Sequence, residues 1–439
     1  MLKTLVGAFK NKDIRKKILY TLMILVIVRV GSLLPIPGVD TEYFSSLLSG
    51  INTGDLSYLS AFTGGSFERM SLFALSITPY ITSSIIMQLL AIAIPKLEEM
   101  QKEGEDGRKK IAAITRYVTI ALALIESIAM AVGFGRSGLI KGYQGFSTLH
   151  YIVSIIVVVA ALTAGSAMLM WLGERITENG VGNGISIVLL INIISGMPSD
   201  FATLYSTFVA PRTIAKGVLA AAIIIAILVV MVVLVCFLQD GERRIPVQYS
   251  QKVSGRKTFG GQSTNIPLKV NTAGVMPVIF ASSLMQVPVI IAQLFGKSYE
   301  WTRYLSSSYW CRISAPKYSI GLILYIVLLI IFAYFYTSIT FNPIEVADNL
   351  KKAGGVIPGI TPGKSTSDYL NNILNYIVFV GAVGLLIIAL IPIMCTGFFN
   401  ASVSFGGTSV IIIVGVVLET LKQIESQMVN RYYKGFLSE

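Results

Sequence analysis

"LSAFTGGSFERMSLFALSITPYI", residues 59–81, sets the problem that the rest of the chain must solve. A glycine pair, Gly64 and Gly65, and two adjacent opposite charges, Glu68 and Arg69, run straight into an apolar segment interrupted at Thr78 and Pro79. Around this stretch, 54% of the 439 residues are hydrophobic and only 13% are charged. Mean hydropathy is strongly positive, which places the chain in a bilayer rather than among water-soluble globules. Polar, glycine-bearing backbone is tolerated at membrane depth only where protein or a water-filled cavity surrounds it.

A helix needs about 20 apolar residues to cross the hydrocarbon core. Scanned at that length, the sequence predicts ten spans, near 18–35, 72–94, 117–135, 151–172, 184–198, 213–238, 272–295, 318–341, 370–394 and 401–425. The fifth is short. The basic run before the first span resembles a signal-peptide start, but Pro35 to Gly38 closes the span without a small-residue cleavage site, so it is expected to be retained. With the N-terminus in the cytoplasm, most of the 35 Lys and Arg residues fall on the cytoplasmic side. This asymmetry predicts cytoplasmic N- and C-termini and an even span count.

The chemistry of the chain excludes several classes. Cys236, Cys311 and Cys395 are too dispersed for a disulfide framework or metal cluster, and the single histidine, His150, sits where a span meets the interface. "PGITPGKST", residues 358–366, approaches a phosphate-binding loop, but Pro358 stands where such a loop needs glycine and has no amide hydrogen to donate. No His-Glu-x-x-His helix or Gly-x-Ser-x-Gly elbow is present, so neither an enzyme nor a cofactor is expected. A solute transporter usually keeps charge partners near the bilayer midplane, and within the spans only Arg29 and Glu126 stand out. Arg29 has the choice of snorkelling to the interface or meeting Glu68.

Seven stretches carry a family resemblance: "GSLLPIPGVD" (31–40), "PYITSSIIMQLL" (79–90), "KEGEDGRKKI" (102–111), "MWLGERITENGVGNGISI" (170–187), "QSTNIPLKVNTAGVMPVIFASS" (262–283), "FNPIEVADNLKKAGGVIPGI" (341–360) and "FGGTSVII" (405–412). Together, and in this order, they resemble the SecY/Sec61 alpha family of protein-translocase channels. The resemblance implies an all-α polytopic protein of ten transmembrane helices in two inverted halves, 1–198 and 199–439, around a central pore. It implies no enzyme but a passage for unfolded secretory polypeptides across the bacterial cytoplasmic membrane, with sideways release of transmembrane segments into lipid.

Carried over residue by residue, the resemblance implies a short re-entrant plug helix over about 57–70, containing Ser60, Phe62, Gly64, Gly65, Phe67, Glu68 and Arg69. It implies an aliphatic pore ring of Ile77, Ile81, Ile185, Leu189, Ile279 and Ile412. Two of these pairs have i, i+4 spacing, which suits a ring and ordinary helix packing equally. The lateral gate falls on Thr82, Ile86 and Gln88 opposite Val278, Ser282 and Val287. Two cytoplasmic docking loops, about 239–271 and 342–369, carry Arg243, Arg244, Arg256, Lys257, Lys351, Lys352 and Lys364.

The implied partners are SecE and SecG in the membrane, the ATPase SecA, a translating ribosome through its RNA phosphates, signal-recognition machinery, signal sequences, unfolded chains and membrane lipids. One position departs from the pattern. The family usually has arginine in a "PGIRPG" turn, whereas Thr361 stands here. That leaves room for an accessory paralogue with dedicated clients, and a secondary solute transporter is the alternative from another class.

Overall fold

A computed structural model of the protein describes residues 9–50, 63–134, 148–211, 214–249, 252–254, 257–259, 263–294, 300–306, 309–311, 316–399 and 407–435. A helix occupies each of the ten expected segments. They are α1 (Lys12–Leu33), α3 (Thr78–Ala93), α5 (Glu105–Phe134), α6 (Thr148–Asn179), α7 (Gly184–Leu204), α8 (Ile214–Asp240), α9 (Met276–Leu294), α11 (Ile320–Thr340), α13 (Lys364–Phe399) and α14 (Gly407–Gly435). Shorter helices lie between them: α2 (Thr41–Gly50), α4 (Pro95–Lys102), α10 (Thr302–Leu305) and α12 (Pro343–Lys352).

Among the described residues, 6 helices are long and apolar enough to cross a membrane alone, or 7 if α3 and α4 count as one bent span. The difference from ten has visible causes. Lys16, Lys17 and Arg29 interrupt α1, and Glu419, Lys422 and Glu425 interrupt α14. The second span is shorter than expected because 72–77 form turns and the helix starts only at Thr78, with Pro79 in its first turn, where a missing N–H costs nothing. At its other end Pro95 begins a new helix, and the chain bends by 106°. The fifth span, by contrast, is longer than its sequence suggested and continues through a π-helical turn, Tyr205–Val209.

α5 packs on α6 and α3, while α9 packs chiefly on α11, and α11 on α13. α7 lies between α6 and α14. The central apolar cluster draws Val28 from α1, Leu172 and Ile176 from α6, Val188 and Ile193 from α7, Phe280 from α9 and Val416 from α14. A second cluster, around Phe44, Phe67, Met70, Met130 and Leu162, sits beside it.

The spans are helical as expected, but the loops hold strands that an all-α reading omits. β1 (Glu242–Tyr249) pairs antiparallel with β4 (Ser263–Lys269), and β2 (Lys252–Ser254) pairs with β3 (Lys257–Phe259) inside that hairpin. β1 also pairs antiparallel with β5 (Gly355–Val356), so the strand order β4-β1-β5 joins the two expected docking loops in one sheet. Ile245, Val247 and Leu268 are buried and alternate with exposed residues, the period of a strand with one buried face. They pack with Leu350 of α12 and Leu370, Ile373 and Ile377 of α13.

A carboxylate placed in that core would lack a partner and be expensive to bury. Val247→Asp is expected to open both loops, so limited proteolysis should cut within 242–269 and 343–363 together. Cleavage confined to the first loop would contradict a shared sheet.

Candidate functional site

The quoted segment is a chain of turns rather than a helix over its described part. Only Thr63 is helical, and 64–70 and 72–77 are consecutive turns. Gly64, Gly65, Met70 and Ser76 have φ of 62°, 79°, 43° and 53°, left-handed values that a right-handed helix cannot continue through. Ser60 and Phe62 lie outside the described residues.

This irregular backbone finds its hydrogen-bond partners inside the protein. The Ile36 N–H donates to the Met70 carbonyl at 3.1 Å, and the Leu72 N–H to the Leu34 carbonyl at 2.9 Å. Within the segment the Ser71 N–H reaches the Ser66 carbonyl at 3.0 Å. Side chains fix it on two sides. Phe67 meets Phe44 and Phe134 edge-on, with ring centroids 5.9 and 6.5 Å away, while Phe73 and Ile77 enter the central cluster. Glu68 and Arg69 remain exposed. Arg29 does not turn to Glu68 for its hydrogen bond but donates from Nη1 to Ser195 Oγ at 2.9 Å.

Gly64 is required for closeness as well as for its φ. A Cβ there would lie 2.5 Å from Ser195 Oγ and 2.7 Å from the Asn192 carbonyl oxygen, whereas one on Gly65 would meet open space.

The six aliphatic residues expected to line a pore all fall in the central cluster. Ile77, Leu189, Ile279 and Ile412 are buried there, and Ile81 and Ile185 pack against it partly buried. They come from the turn segment, α3, α7, α9 and α14, which brings together residues up to 335 positions apart, 77 against 412.

Of the expected gate residues, Thr82, Ile86 and Gln88 are half-buried on α3, and Val278 and Ser282 are buried on α9. Thr82 Oγ1 donates to the Thr78 carbonyl at 3.0 Å and Gln88 Nε2 to Ser84 Oγ at 3.4 Å, both within α3. Ser282 Oγ donates to the Val278 carbonyl at 2.7 Å. Gln88 Oε1 is buried without a partner. Val287 lies in α9, but its side chain is outside the described residues.

The docking residues lie around the β4-β1-β5 sheet. Arg243 and Arg244 are exposed on β1, and Arg244 pairs with Glu242 at 2.6 Å. Lys351 and Lys352 occupy the last turn of α12, where cations complement the helix dipole. Asn342 Oδ1 caps the other end by accepting from the Ile344 N–H at 3.1 Å. Lys364 opens α13, and exposed Thr361 offers its carbonyl to Thr366 Oγ1 at 2.9 Å. A short strand, β5, does precede this turn, yet Pro358 still withholds the amide a phosphate loop would need. Lys257 lies in β3 with its side chain outside the described residues, and Arg256 is itself outside them.

Two residues of this region were missed in the sequence: buried Asn192 and half-buried Ser195. The signal was present, since an amide in the apolar run "SIVLLINIISG" must find a partner.

The SecY family model matches residues 71–421. The Protein translocase subunit SecY of Streptomyces galbus is 44% identical over 446 residues, covering 100% of each chain. A solved SecY structure, described as showing that its plug domain stabilises the closed state of the translocation channel and maintains a membrane seal, aligns with a TM-score of 0.64. It has 19% identity and covers 94% of this chain and 92% of that one. The canine Sec61 channel in its ribosome complex from the endoplasmic reticulum aligns with a TM-score of 0.58 at 17% identity, covering 94% and 93%.

Replacing a left-handed glycine by alanine costs about 1–2 kcal/mol of backbone energy. Gly64→Ala adds the collision with α7, so it is expected to speed amide exchange across 66–76 more than Gly65→Ala does. Equal effects would contradict the close approach at Gly64.

Proposed function

The chain belongs to the SecY family, and from that premise we propose that Ile77, Ile81, Ile185, Leu189, Ile279 and Ile412 form the constriction through which secretory polypeptides pass. The protein is a multi-pass membrane protein, the channel subunit of a protein translocase and not itself an enzyme. The observation that carries the constriction is the gathering of all six side chains in one apolar cluster. A narrow aliphatic passage stops ions by dewetting. Its contacts are non-directional and worth only about 0.1–0.2 kcal/mol per atom pair, so they re-form around an extended chain.

The segment 57–70 acts as the plug. Its described part, 63–70, lies against α7 at Gly64, and the chain runs on through 72–77 into the cluster that holds the ring residue Ile77, which suits a stopper close to the constriction. α3 and α9 form the lateral gate between halves 1–198 and 199–439. Each packs mainly within its own half, and Thr82 Oγ1 and Gln88 Nε2 are bonded within α3. Parting the helices therefore need not break those bonds, and a hydrophobic signal sequence or transmembrane segment leaves sideways into lipid.

The basic residues around the sheet, Arg243 and Arg244 on β1, Lys351 and Lys352 on α12 and Lys364 on α13, dock SecA or the RNA phosphates of a translating ribosome on the cytoplasmic side, with both termini on that side. Thr361 offers one hydroxyl where an arginine would offer five donors, so this turn contributes less to docking. SecE and SecG are the membrane partners, and the signal-recognition machinery delivers clients. A solute transporter is not favoured, because the relatives matched over the full length are translocase subunits.

Photo-cross-linkers at Leu189 and Ile279 are expected to capture a secretory chain stalled in transit, whereas one at Phe237, 75% exposed on α8, should not. Capture absent from the ring or equal at Phe237, with saturable uptake of a small solute instead, would overturn the assignment.

A further inference from the structure

The channel reading leaves a partly buried polar group on α1 and α7 without a role. Arg29 Nη1 donates to Ser195 Oγ at 2.9 Å, and that hydroxyl lies 2.7 Å from the Asn192 carbonyl and 3.5 Å from the Gly64 carbonyl. Three residues earlier on the same helix, Asn192 Nδ2 donates to Ser76 Oγ at 3.1 Å. Asn192 and Ser76 are each 2% exposed. The two ends of the turn segment, Gly64 and Ser76, are thus held to the same stretch of α7.

We propose that Arg29, Ser195 and Asn192 form a polar latch that positions the segment 63–77 against α7 in the idle channel. The idea deepens the plug assignment and rests on it.

The latch is built to release. Asn192 Oδ1 and Ser66 Oγ are buried without hydrogen-bond partners, so docking leaves two polar atoms desolvated and unpaid. Met70 and Ser76 hold positive φ, a conformation costly for residues with a Cβ. A few directed hydrogen bonds oppose these two terms, and apolar burial of Phe67 and Phe73 adds to the holding side. A translocating chain or water that reaches Asn192 and Ser66 satisfies groups that the latched state leaves unpaired, which favours the undocked segment. The apolar ring has no such preference, so the latch separates holding the plug from sealing the pore.

The test uses the purified full-length protein in detergent and needs no transport partner. Cys236, Cys311 and Cys395 are replaced by alanine, and Ser66→Cys, nearly isosteric at a site 1% exposed, serves as reporter through its rate of maleimide labelling. Asn192→Leu and Ser195→Ala are each expected to speed labelling about tenfold, the scale of losing one buried hydrogen bond. Arg29→Met should add little once Ser195→Ala is present, because the two act through one bond. A second reporter, Ser127→Cys on α5, is buried away from the latch and should not change. Unchanged labelling at Ser66→Cys, or equal acceleration at both reporters, would overturn the latch. Neither result bears on capture of secretory chains by the ring, so the latch and the channel fail separately.

Discussion

Backbone amides and carbonyls deep in a membrane protein must be paired by the protein itself, and the segment 63–77 meets that demand without being a helix. Its turns lean on 34–36 through the Ile36–Met70 and Leu72–Leu34 bonds and on α7 through Gly64. The position of this segment decides much else. Because 72–77 is spent on turns, α3 is short and begins at Thr78. Because Phe73 and Ile77 leave the turns on the side of the central cluster, the segment and the residues of the proposed constriction share one core. Because Phe67 and Met70 leave on the other side, the same segment is fixed to α2, α5 and α6.

The two basic loops pose the opposite problem. They are exposed and basic, and a flexible loop of that kind would present its charges in no fixed arrangement. Pairing Gln248 with Val356 and Tyr249 with Gly355 ties the second loop to the first. Burial of Val247 and Leu370 in one cluster then anchors both to the N-terminal end of α13. Arg243, Lys351 and Lys364 are thereby held on a common support, which a large docking partner requires more than it requires charge alone.

Much of this was legible in the sequence. Uninterrupted apolar runs such as 218–238 announce themselves by composition, and a helix occupies every expected span. The segment 63–77 was legible as an anomaly, through Gly64, Gly65 and the charges, although its turn conformation was not: positive φ at Met70 and Ser76 is imposed by tertiary packing, not by residue type. The sheet was readable in principle from the alternation in "ERRIPVQY" and "STNIPLK", but β5 has two residues and no pattern of its own. The ring could not be read from periodicity, because isoleucine on one helix face serves packing and pore alike. Only the structure joins Ile77 to Ile412, and only the structure shows Asn192 and Ser195 reaching the glycine hinge.

The central claim, that one aliphatic cluster seals a protein-conducting channel, is tested most directly by ion conductance in planar bilayers. Ile77, Ile279 and Ile412 are each replaced by serine, alongside Leu329→Ser in a buried cluster away from the ring. The account predicts a tight wild-type protein, steady ion leak in the three ring variants through wetting of the constriction, and no leak in the Leu329→Ser control. Ring variants as tight as wild type, or a control that leaks as much as they do, would contradict it.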